Sequence, residues 1–370
     1  MIARRLFAGV FAVALLVPVL GHAAEGFADG LRYVFVAAQD SRQVSVIDSR
    51  SDSVAGSLDM GLVPSQLEVA GEPGRLVAVD GASARVAVVP LQGGEAMTVP
   101  LEFVPTRLAV AGGRIVASAP ASGRLAVIDV VTGRLTGQGR APVFRDFQPV
   151  GDGDRVILAP ETGDGLLLYD LTAMGVAAEV AAPRPGLGGF SALARSPNGR
   201  LIYARAAAQP VVAVVDVRGA KVVGEVPVGA GTARAYTNAT GITLVLPDSA
   251  ARSVTLLPSS LKGATALRGE AGMTGVYSGW FDTVAFIPSA ATRSVVVVDQ
   301  QGGYRGDDIA LSGNPGRGTV TPDGRKLYLP LTDGNTVAVI DAEHRRLAGT
   351  VTLPGRPTMA LMGRTFGICH

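Results

Sequence analysis

Little in this chain suits thiol, imidazole or stacking chemistry. Its 370 residues include one cysteine, three histidines and one tryptophan, and aromatics make up only 5%. A lone cysteine, Cys369, excludes an internal disulfide. The fold must therefore be held by burying a core, for which this length suffices. The aromatics are scattered and there is no basic run, which excludes the charged stripe and stacking platform of a nucleic-acid binder. Lysine is scarce too: of 33 basic residues only Lys221, Lys262 and Lys326 are lysines. Past the N-terminal segment, no ten-residue stretch shows a capped helical stripe, which excludes a helical bundle. Hydrophobic residues (48%) far outnumber charged ones (17%), and the 48 Gly and 23 Pro follow no three-residue period. The chain is neither disordered nor collagen-like.

What is present begins with a leader. Met1–Arg5 is basic, Leu6–Leu20 is apolar but broken by Pro18, and the small residues of Gly21-His22-Ala23 resemble a cleavage site. This predicts a signal peptide over residues 1–23 and a periplasmic or secreted chain from Ala24. The apolar run is shorter than the roughly 20 residues that span a bilayer, and no cysteine follows it for lipidation. No integral membrane segment is expected after cleavage. Losing Arg4 and Arg5 leaves 31 basic against 31 acidic residues, a neutral mature chain.

One short apolar strand recurs throughout, often closed by Asp. It reads Val44–Asp48, Val86–Pro90, Leu125–Asp129, Leu166–Asp170, Val212–Asp216, Val254–Pro258, Val295–Asp299 and Val337–Asp341. The closing positions lie 42, 39, 41, 46, 42, 41 and 42 residues apart. That period matches four-stranded propeller blades. Turns such as Pro197-Asn198-Gly199 and Pro322-Asp323-Gly324 precede β-rich segments, and weaker strands follow each repeat. The fold class is an all-β propeller forming a single domain over residues 24–370. Eight blades are expected, with seven the alternative if the least regular unit, Ala264 to Leu311, is degenerate. The first unit starts at Leu31 without an innermost strand, and Arg356–Met362 resembles one without a unit. Their pairing would close the ring and remove both edges.

Pro322–Leu329 and Thr336–Asp341 match best the repeat of the YVTN-type β-propeller family, which the chain resembles from about Leu31 onward. It departs from that pattern where Pro120, Pro160, Pro247, Pro288 and Pro330 replace the family's Asn. More loosely it is similar to the eight-bladed haem-binding domain of periplasmic nitrite reductases and related cofactor-pathway proteins. The resemblance implies the architecture and no particular reaction.

Candidate chemistry is narrow. Without the leader only His344 and His370 remain, so a Ser-His-Asp triad or an all-His zinc site lacks material. The repeated Asp residues are expected to bond turn amides. Innermost strands begin near Arg107, Arg145, Arg234 and Arg317, at comparable places in four units. Converging, these arginines would make a positive funnel for a carboxylate, a phosphate or an acidic protein partner. Otherwise they pair with acids such as Asp146. At the end, Cys369 and His370 place a thiol, an imidazole and the terminal carboxylate together. Such a donor set suits copper(I) or zinc. Alternatively, Cys369 packs as a small hydrophobe. Phe366 stands where a haem-attachment motif would have its first Cys, leaving only single-thioether haem attachment open. Two readings follow: a non-catalytic ligand- or partner-binding propeller, handling a metal or cofactor, and an enzyme or electron-transfer subunit using the funnel.

Overall fold

The computed structural model describes residues 26–70 and 74–363. They form eight antiparallel sheets built on four-stranded blades, and the described helix is one 3-10 turn, Pro120–Ser122. Blade 1 is composite. Its order from outside inward is Ser53–Asp59, Gln43–Asp48, Tyr33–Ala38 and then the C-terminal strand Pro357–Met362. Val34 faces Met362 and Phe35 faces Leu361, so the first and last described strands close the ring. Blades 2 to 8 follow in order, with innermost strands Gln66–Ala70, Arg107–Ala111, Phe144–Val150, Phe190–Arg195, Tyr236–Thr237, Tyr277–Gly279 and Thr319–Val320.

The repeat has this form because its middle strands are buried on both faces. Val284–Ser289 and Ser294–Asp299 are buried at every position, which requires continuous apolar runs rather than alternation. Outermost strands such as Ser53–Asp59 are largely exposed and read as weaker, polar segments. Eight apolar clusters fill the molecule, one at each junction between neighbouring blades. The junction of blades 8 and 1 is also pinned by polar groups. Lys326 Nζ donates to Asp52 (2.7 Å) and to the Ser49 carbonyl (2.9 Å), and the Tyr328 hydroxyl donates to Asp52.

The irregular unit from Ala264 to Leu311 holds a complete blade. In blade 7 the fourth strand is split into Tyr304–Arg305 and Ile309–Ala310, both paired with Ser294–Asp299. Arg305 braces the break by donating to Glu270 (2.9 Å) and Asp308 (2.6 Å).

Candidate functional site

The innermost strands enclose a central channel of about 930 Å3. Blade 3 contributes Arg107 to its wall, blade 5 Arg195, blade 6 Arg234 and blade 8 Arg317, with Glu68 from blade 2. Three of the four arginines expected from the sequence therefore converge. Arg145 does not line the channel. The strand bulges between Phe144 and Asp146, so Arg145 is the extra residue and its guanidinium donates to the Gly188 carbonyl (3.3 Å). A one-residue shift exchanges the two faces of a strand, and here it turns Asp146 inward instead.

Asp146 is 2% exposed and organises one wall. Its Oδ1 accepts from Arg107 Nη2 (2.9 Å) and the Phe147 amide (2.9 Å). Its Oδ2 accepts from Arg234 Nη2 (2.6 Å) and the Leu193 amide (2.8 Å). One carboxylate thus ties blades 3, 4, 5 and 6. Arg317 reaches past blade 1 to Glu68 at 3.4 Å. Burial pushes the Glu68 carboxyl above the ordinary value, opposed by Arg317, the Gln66 amide and Arg107. Four guanidiniums and one carboxylate, Glu68, thus line the channel, with Asp146 behind Arg107 and Arg234.

The Arg234 loop is held from beneath. Arg205, only 8% exposed, donates Nε to the Thr232 carbonyl (2.7 Å), and Nη1 donates to the Ala206 carbonyl. Burial lowers its pKa, since the guanidinium has left water. From the other side Asp248 accepts the Gly231 amide (3.2 Å). A Cβ at Gly229 or Gly231 would meet the Asp248 carboxylate at 1.8 or 2.2 Å, so only glycine allows the loop to approach. The wall is also laced between blades. Gln66 exchanges hydrogen bonds with the Leu108 backbone (2.8 and 3.1 Å), and Arg195 donates to the Pro149 carbonyl (3.3 Å). Tyr277, buried beside the channel, accepts the Gly318 amide (2.7 Å), and burial pushes its phenol up to about 12.

The other candidates fall elsewhere. The repeated Asp residues bond turn amides, as Asp129 does with Thr132 (2.8 Å) and Asp299 with Gly302 (2.6 Å). These bonds lower the pKa of Asp129, while in Asp299 they and Arg345 outweigh the rise from burial. His344 is exposed on an outer turn with Nδ1 against Asp341 (2.8 Å). Cys369 and His370 lie outside the described residues. Among the described residues no three His, Cys, Asp or Glu side chains group to hold a metal ion. The described lining holds no His or Cys; its polar groups are guanidiniums, hydroxyls, amides and one carboxylate, set among apolar side chains such as Leu108, Val110, Phe147 and Met359. Arg195 ends its strand and so is not marked by a strand start, and the roles of Glu68 and Asp146 depend on partners far away in the chain.

No family model and no curated protein matches the chain. Solved structures do. The dihydro-heme d1 dehydrogenase NirN, solved in complex with DHE, is 12% identical and superposes with a TM-score of 0.76 over 90% of this chain and 76% of its own. Apo AztD from Citrobacter koseri is 13% identical, with a TM-score of 0.67 over 89% of this chain and 97% of its own. Hydrazine synthase from Kuenenia stuttgartiensis, 14% identical, gives 0.56 over 75% and 95%. At such identities the likeness is one of fold. No described helix is long and apolar enough to cross a membrane.

Proposed function

We propose that the protein is an exported, periplasmic propeller that binds an anionic ligand in its central channel and catalyses no reaction itself. The observation that carries this reading is the convergence of Arg107, Arg195, Arg234 and Arg317 on one channel with fewer carboxylates than guanidiniums. Preorganised guanidiniums in a confined, partly desolvated space bind carboxylate or phosphate oxygens through charge-assisted hydrogen bonds. The volume is at the upper end for a small-molecule site, enough for a cofactor-sized ligand. A neighbour on the same frame whose name attaches it to dihydro-heme d1 supports a role in holding or passing on a cofactor. This chain's contribution would be guanidinium contacts to the ligand's acidic groups.

Arg317 is the residue to test, because its ion pair is the longest of the three in the channel wall. Titrating the protein with citrate and sulfate by calorimetry should show saturable binding that chloride does not reproduce. Arg317→Ala should weaken it by about 1.5–3 kcal/mol, ten-fold or more. Binding unchanged in Arg317→Ala and Arg195→Ala, or absent in the intact protein, would remove the reading. A visible absorption band in protein purified from the periplasm would favour the redox alternative.

A further inference from the structure

All three lysines lie on one face of the disc. Pairing is antiparallel throughout, so in each blade the turn from first to second strand and the turn from third to fourth leave at the same end. Lys221, Lys262 and Lys326 sit in or beside these turns in blades 5, 6 and 8. The turns touch across blades: the Trp280 amide donates to the Gly324 carbonyl (2.6 Å), and Asp282 accepts the Ala239 and Thr240 amides (2.9 Å each).

Between these cations stand apolar tips. Phe281 is 65% exposed and Ile242 62%, on adjacent turns of blades 7 and 6. Phe281 is the middle of three consecutive non-glycine residues in the left-handed region, with φ of 43° at Trp280, 52° at Phe281 and 65° at Asp282. Such a run persists only where its surroundings impose it. Here the Asp282 bonds and the Thr283 bonds to the Trp280 carbonyl (3.1 Å from N, 2.7 Å from Oγ1) impose it. The outcome is a phenyl ring in solvent, edge-on to the Trp280 indole at 4.9 Å. Arg325 lies over that indole at 5.9 Å, and on the same side of blades 5 and 6 Arg200, Arg218, Lys221 and Lys262 are exposed. The exposed acids of the same turns in blades 5 to 8 are Asp323 and Glu343.

We propose that this face docks the disc onto an anionic lipid surface. Protruding tips with cations on the neighbouring turns suit a bilayer interface: the rings and aliphatic tips enter the acyl boundary while ammonium and guanidinium groups stay among the headgroups. Docked this way, the opposite channel mouth, where Arg107 and Arg317 stand at the strand starts, faces away from the lipid.

Vesicle sedimentation tests it, using the chain from Ala24, which keeps every described strand. Binding to vesicles containing phosphatidylglycerol should exceed binding to phosphatidylcholine by about ten-fold and weaken with salt. Phe281→Ser with Ile242→Ser should lower it about ten-fold. Replacing Arg218, Lys221 and Lys262 by Ser should lower it and flatten its salt dependence. Leu135→Ser, an exposed residue on an outermost strand, is the control and should change nothing. All these positions are exposed, so unchanged melting certifies the fold. Equal binding to both vesicle types, no binding to either, or anionic binding untouched by the Phe281 and Ile242 changes each overturns the proposal.

Discussion

The middle strands of the blades are nearly interchangeable, whereas the innermost strands are not. Second and third strands run five or six residues and bury almost every side chain between blades. Innermost strands run from two residues, Tyr236–Thr237, to seven, Phe144–Val150, and carry Gln66, Glu68, Arg107 and Asp146. A strand packed on both faces has little freedom to change without opening a cavity or stranding a polar group. A strand with one edge on water can change composition and length, and the charged chemistry collects there. Framework and site are thus separated by their distance from the channel axis.

Four perturbations sharpen that contrast, taken from the largest expected effect downward. Deleting residues 356–370 removes the innermost strand of blade 1 and exposes the edge of Tyr33–Ala38, whose six positions are all buried. We expect the cooperative thermal transition to disappear; a truncated chain that melts like the intact one would show that the ring does not depend on this closure. Asp146→Ala acts on a side chain that belongs to both regions. It leaves Arg107 and Arg234 without their shared carboxylate, and should cost about 2–3 kcal/mol, discounted because Arg107 stays partly in water. Urea melts would show the shift, and a change below the error of the fit would mean that the bridge is not structural.

Glu68→Gln changes the site without harming the frame. Because burial raises the native carboxyl above its ordinary value, Glu68 takes up its proton in the folded protein before it would in the unfolded chain. Its contribution to stability is therefore present at low pH and is lost as pH rises through the native pKa. Protonation also removes a negative charge facing Arg317 and Arg107, so sulfate should bind more tightly as pH falls through the native pKa. In Glu68→Gln, calorimetric titration should give the tighter value at every pH; a slope that survives the substitution assigns the effect to another group. The smallest structural effect is expected from Cys369→Ser with His370→Ala, which should leave melting unchanged. On the proposal that these two residues bind copper(I) or zinc, competition titration should show a lower metal affinity in the double variant.

The same contrast explains what could be read from the chain alone. Val-x-Val-x-Asp strands are visible because the middle of a blade tolerates little else, and their spacing delivers the blade number. Closure was legible from a first unit that lacks a strand and a last strand that lacks a unit. The irregularity before Leu311 marked a real break, the divided outer strand of blade 7, but not the loss of a blade. In the channel, Arg107, Arg234 and Arg317 could be located because strand starts recur at fixed offsets. Arg145 could not, since spacing does not encode the bulge that reverses the direction of its side chain. The pairing of Arg317 with Glu68 joins residues 249 apart, and no local pattern records which acid a closed ring brings to which arginine.

Composite blade 1 also dictates an order of events. A polypeptide that emerges N-terminus first, from a ribosome or a translocation pore, presents Tyr33–Ala38 long before its partner strand Pro357–Met362. Until then the first blade keeps an open hydrophobic edge, the kind of surface that invites association with another unfinished copy. Emergence of Pro357–Met362 is thus the step that completes the first blade. Before it, that edge is open to other unfinished copies; after it, the first and last described strands share one sheet and neither can leave without breaking the other's pairing.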